Sequence, residues 1–110
     1  MCWTNTPLQV LRNAPALHSL IIQQRKDVAD ILKLLFHMDG SLRKLILDFC
    51  YLGEDGTGLL SKIVDFYSDL EVLSLEGCFP ITFDGYSLIE RLMKLSELNL
   101  SHCEVYYACY

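Results

Sequence analysis

Residues 70–78, Leu70-Glu71-Val72-Leu73-Ser74-Leu75-Glu76-Gly77-Cys78, read Leu-x-x-Leu-x-Leu-x-x-Cys. The same element stands before it, as Leu42-x-x-Leu45-x-Leu47-x-x-Cys50, and after it, as Leu95-x-x-Leu98-x-Leu100-x-x-Cys103. A fourth copy, Leu17-x-x-Leu20-x-Ile22, opens the series and carries Arg25 at the cysteine position. The copies start 25, 28 and 25 residues apart. A period of that size marks units too small to bury an apolar face alone, so each must lean on its neighbours in a solenoid.

Inside each unit the apolar period changes. Around Leu45 and Leu47 apolar and polar residues alternate, as in a strand with one buried face. The segment Tyr51-Leu52-Gly53-Glu54-Asp55-Gly56 is rich in breakers and reads as a turn. Leu59, Leu60, Ile63, Val64 and Tyr67 then follow at helical spacing. The third unit predicts a strand over Val72–Leu75, an N-cap at Asp84 and a buried stripe of Leu88, Ile89, Leu92 and Met93. The first predicts a strand near Leu20–Ile22 and a helix after Asp27 that buries Val28, Ile31, Leu32 and Leu35, with Gly40 at its C-terminus. The fourth offers a strand over Glu97–Leu100. Leu8–Asn13 reads as the tail of an earlier helix ended near Pro15, so residues 1–16 are expected to be its remnant.

The 110 residues make one domain of about three and a half units, starting near 17, 42, 70 and 95. The composition is 52% hydrophobic, the mean hydropathy is +0.27, the net charge is -5 and the pI is about 5.0. This balance opposes a nucleic-acid surface, which needs clustered Lys and Arg. No apolar run reaches the roughly 18 residues that span a bilayer; Val28–Met38 comes nearest and is broken by Asp30, Lys33 and His37. The start, Met1-Cys2-Trp3-Thr4-Asn5, lacks a secretory signal's basic and apolar regions. Five cysteines, three of them within the repeat, favour a reduced compartment. The expected location is intracellular and cytoplasmic, with the nucleus left open.

Through these residues, from about 8 to 105, the chain resembles the leucine-rich repeat superfamily. Cys78-x-x-Ile81-Thr82-x-Asp84-Gly85, with the next Leu95-x-x-Leu98-x-Leu100-x-x-Cys103, is similar to the cysteine-containing subclass common in F-box proteins. The 28-residue unit with Cys50, Leu52 and Gly56 is also similar to ribonuclease-inhibitor-type repeats. The resemblance implies an α/β solenoid with parallel strands on a concave face and helices on a convex face. It also implies a protein-interaction role. Arg25 at the cysteine position departs from the pattern. Nothing matches Gly-x-x-x-x-Gly-Lys-Ser/Thr, and no F-box precedes the repeats.

Cys50, Cys78 and Cys103 fall one per unit, whereas zinc sites cluster four ligands at short spacing. The expected arrangement is a buried column of thiols bonded weakly to neighbouring backbone. Cys2 and Cys109 read as free thiols near the ends. His18, His37 and His102 sit in different registers, and neighbours His102 and Cys103 on an extended segment would point apart, so no catalytic pair emerges. His102 is expected at the solvent edge of the concave face. Glu54, Asp55 and Asp84 suit turns and caps better than calcium, which needs several oxygens at tight spacing. The chain is thus read as a non-enzyme without metal or cofactor.

The residues between the leucines carry the functional expectation. Ser19, Ile21 and Gln23; Lys44, Ile46 and Asp48; Val72, Ser74 and Glu76; and Glu97, Asn99 and Ser101 point outward from successive strands. Stacking brings equivalent positions about 5 Å apart. Ile21 and Ile46 would form an apolar spot, and Asp48 and Glu76 an acidic pair with Glu97 close by. An apolar centre with a polar rim suits a protein or peptide partner, in this case a basic one. Two alternatives stand beside this reading. One is the substrate-recognition part of a ubiquitin-ligase receptor. The other is a truncated or isoform fragment of a larger leucine-rich-repeat protein without independent function. The apolar C-terminus, with Tyr106, Tyr107 and Tyr110, lacks a polar cap and suggests self-association. Leu73→Ala and Leu98→Ala are each expected to cost about 2–5 kcal/mol.

Overall fold

The computed structural model of the chain describes residues 2–3, 18–36 and 42–103. One parallel sheet runs in chain order through β1 (Cys2–Trp3), β2 (Ser19–Ile22), β3 (Lys44–Ile46), β4 (Val72–Ser74) and β5 (Glu97–Asn99). Between the strands lie α1 (Val28–Leu35), α2 (Gly56–Phe66) and α3 (Phe83–Leu88), with a 3-10 turn over Ile89–Arg91 after α3. The chain is therefore a mixed α/β domain. β1 falls within the segment assigned to a helix remnant; it pairs Cys2 with Ile21 and Trp3 with Ile22. The expected helix tail at Leu8–Asn13, Gly40 and the terminal tyrosines lie outside the described residues.

The register follows the leucines. Leu20, Leu45, Leu73 and Leu98 are successive partners across β2 to β5. One backbone joint recurs between units. The His18 carbonyl accepts from the N–H groups of Arg43 and Lys44 at 2.9 and 3.0 Å. The Arg43 carbonyl accepts from Glu71 and Val72 at 2.7 and 3.0 Å, and that of Glu71 from Ser96 and Glu97 at 2.8 and 3.1 Å. These carbonyls occupy one position of the repeat, so the units share a geometry as well as a pattern.

Alternation decides what is buried. Leu20, Ile22, Leu45, Leu47, Leu73 and Leu75 point to the helix side and are buried, where they meet Val28, Ile31 and Leu32 of α1 and Leu60, Ile63 and Val64 of α2. This apolar layer is the main stabilising term, at about 25 cal/mol per Å² of apolar surface removed from water. β5 departs from the pattern. Leu98 is 46% exposed, and among the described residues no strand flanks β5 on its other side.

The chain leaves β2, β3, β4 and β5 through the same left-handed position. Gln24, Phe49, Gly77 and His102 have φ of 55°, 57°, 66° and 60°, and each stands directly before the cysteine position. The expected extended path at His102 is therefore replaced by a turn. Its imidazole is exposed because of that turn rather than through strand alternation.

Helix starts are set locally. Asp55 caps α2, its carboxylate accepting from the Gly58 N–H at 2.9 Å. Gly56 lies so close to the next unit that a Cβ there would sit 2.0 Å from the Pro80 carbonyl oxygen. The expected cap of α3 at Asp84 is corrected. Thr82 holds that place and accepts from the Gly85 N–H at 3.3 Å, while Asp84 falls in the first turn. A hydroxyl spans the chain's tight approach to the helix start here: Thr82 Oγ1 lies 2.5 Å from Thr57 Oγ1. The stripe expected over Leu88, Ile89, Leu92 and Met93 also shortens. Ile89 and Leu92 are buried, Leu88 is half-buried and Met93 is 87% exposed. Tightening to a 3-10 turn at Ile89 rotates the later positions off the helical face.

Candidate functional site

The sheet face opposite the helices carries the nominated side chains in three rows. Ser19, Lys44, Val72 and Glu97 are register partners in one row, and Ile21, Ile46, Ser74 and Asn99 in the next. Continuing the same register places Gln23, Asp48, Glu76 and Ser101 in the third. The ladder runs on there, with Gln24 N–H donating to the Asp48 carbonyl at 3.0 Å, Phe49 to Glu76 at 2.6 Å and Gly77 to Ser101 at 2.9 Å.

This register puts Ile21 beside Ile46 and Asp48 beside Glu76. It does not put Glu97 with them. Glu97 shares its row with Val72 and Lys44, about 13 Å along the strand direction from the third row at roughly 3.3 Å per residue. The face thus has two electrostatic ends, with Lys44 and Glu97 at the strand starts and Asp48 and Glu76 at the strand ends.

Between these ends lies a shallow depression of ≈ 390 Å³. Lys44, Ile46, Asp48, Val72, Ser74, Glu97 and Asn99 line it, together with Leu73 and Leu98, whereas Glu76 and Ser101 do not. Ser74 is 7% exposed, and its hydroxyl donates to Asp48 Oδ1 at 2.6 Å. That bond crosses from β4 to the end of β3 and fixes one carboxylate oxygen.

On the helix side the cysteines form a column. Cys50 Sγ donates to the Ile22 carbonyl at 3.4 Å, Cys78 Sγ to the Leu47 carbonyl and Cys103 Sγ to the Leu75 carbonyl at 2.8 Å. The acceptors are the last leucine-type residue of the preceding unit each time. Burial raises the Cys50 thiol above its ordinary range and pushes Cys78 up to about 12. A raised thiol forms less of the thiolate that attacks or binds metal, so Cys50 and Cys78 suit a structural place. Arg25, where a fourth cysteine would stand, instead forks onto Asp27 with both N–O distances at 2.7 Å. The guanidinium holds the Asp27 carboxyl below the usual carboxylate range. Among the described residues no three His, Cys, Asp or Glu side chains are placed to hold a metal ion. No helix among them is long and apolar enough to cross a membrane.

Sequence reasoning passed over the exposed aromatics at the strand ends. Phe49, Phe79 and Phe83 are 49%, 55% and 65% exposed. A signal for Phe49 lies in the alignment of the copies, since it shares its position with Gly77 and so had to enter the turn. No protein-family model matches the chain, and comparison with curated proteins and with solved structures finds no match.

Proposed function

We propose that the chain is a short leucine-rich-repeat solenoid that acts as a non-catalytic interaction module. It binds a protein or peptide partner through the open strand face. The observation that carries this reading is the depression lined by outward side chains of three consecutive strands, with Ile46 in its middle row and Val72 between Lys44 and Glu97. The face is rigid because a packed core holds its rows in register. A rigid surface loses little entropy on binding, which favours its use for recognition. The acidic end at Asp48 and Glu76 suits a basic group on the partner, and the Ser74–Asp48 bond presents that carboxylate already oriented.

The test is cross-linking capture with the full chain, with partners identified by mass spectrometry. The wild type is run beside Lys44→Glu/Val72→Lys/Asn99→Lys. These three positions are outward, and substitution there leaves the leucine core intact. A discrete partner lost by the variant supports the reading. A partner retained by a folded variant places recognition elsewhere and overturns it.

A further inference from the structure

We propose that the loop edge following β3 and β4 is a second docking surface, for a protein segment in which arginines alternate with apolar side chains. Phe49 and Phe79 are exposed on these two loops, and exposed Phe83 opens α3 directly after the second. The Tyr51 and Phe79 rings meet at 5.3 Å, and the two residues form a parallel bridge between the loops. The Phe49 ring lies over Gly77, so close that a Cβ on Gly77 would stand 2.5 Å from it. Phe49 holds φ at 57°, as Gln24 and His102 do near that value at the same position of their units, and the glycine at that position in the next unit leaves room for its ring.

Charge selects the occupant. Residues 48–57 and 76–84 contain the carboxylates of Asp48, Glu54, Asp55, Glu76 and Asp84 and no Lys or Arg. Asp55 is committed to the start of α2 and Glu54 shares a pocket with Lys33 and Lys62. That leaves Asp48 and Glu76 flanking the Phe49–Gly77 turns and Asp84 next to Phe83 as the carboxylates of this edge. A planar guanidinium stacks on an aromatic face and forks onto a carboxylate, which an ammonium does less well. Apolar side chains of the same segment would cover the remaining ring surface. A second copy fits poorly, because the chain carries a net charge of -5 and would bring like charges together. Asp48 and Glu76 also border the open face, but the rings that define this edge do not line its depression.

The probe is a fluorescein-labelled peptide of alternating arginine and leucine, titrated into the full chain by anisotropy, with a glutamate–leucine peptide for comparison. Binding of the first alone is expected. Phe49→Gly/Phe79→Ser should weaken it about tenfold, which corresponds to about 1.4 kcal/mol, while Met93→Ser, the loss of a still more exposed apolar side chain elsewhere, leaves it unchanged. Glycine suits the left-handed turn, and circular dichroism checks the fold of the variant. Amide shift mapping on the wild type should cluster in 49–54 and 76–84. The proposal is overturned by absence of binding, by equal binding of the glutamate peptide, or by equal weakening in Met93→Ser. Shifts confined to Lys44, Val72 and Asn99 also overturn it while favouring the open face. So does self-association that the Phe49→Gly/Phe79→Ser variant abolishes, which would make the occupant a second copy.

Discussion

Leu73 and Leu98 occupy the same position of the repeat, yet they stand in different surroundings: Leu73 is 1% exposed and Leu98 is 46% exposed. Truncating Leu73 removes a side chain packed on all sides and should cost about 2–5 kcal/mol. Leu98→Ala should cost well under half of that, because much of its surface already meets water. Urea denaturation of the two variants checks the contrast, and equal losses would show β5 to be as buried as β4 in solution. The pattern makes both residues look alike, since spacing reports which side a leucine takes and not how completely it is covered. Gly77 offers a second case. Its φ of 66° and its approach to the Phe49 ring both oppose a Cβ. Gly77→Ala should lose about 1–3 kcal/mol by thermal melting.

Helix starts show where local reading succeeds and where it falls short. Asp55 was legible as a turn and cap residue, and its carboxylate does bond to Gly58 N–H. Asp84 has the right chemistry at the wrong place, because Thr82 two residues earlier already holds Gly85 N–H. Choosing between two adjacent cap formers needs the path of the chain from the previous unit, which a linear pattern does not hold. Asp55→Ala should therefore cost about 1 kcal/mol, and Asp84→Ala only a few tenths through the lost charge at the helix start. Comparing their melting temperatures tests the assignment. The stripe of the third unit was over-extended for a related reason. Helical spacing persists in the sequence through Met93, while the helix closes at Leu88 and tightens beyond it.

At the scale of the whole molecule, stability should respond to alkaline pH. Burial pushes Cys78 from an ordinary 9.0 to about 12 and Tyr67 from 10.0 to about 12. Both groups hold their protons more tightly when folded, so the folded state binds more protons than the unfolded one between those values. Their contribution is fully present below pH 9 and is lost as pH rises towards 12. Urea midpoints should stay level up to about pH 9 and then fall, and Tyr67→Phe should make the fall shallower. An unchanged slope in that variant would place the phenol in water. The alternation of parallel strands with helices was legible because strand order, register and the buried column all descend from one repeated pattern. The rows of the open face were legible too, apart from Glu97, whose place along the strand was lost when only strand neighbours were considered. The aromatic edge was not legible, because exposure at a turn depends on backbone dihedrals that residue type alone does not reveal.

The carbonyls of His18, Arg43 and Glu71 each take two N–H groups from the unit that follows. The three boundaries from β2 to β5 are thus met by the same plug and socket. A duplicated stretch inserted between two of them would find matching backbone on both sides, so such a chain can lengthen by copying itself while its existing contacts stay as they are.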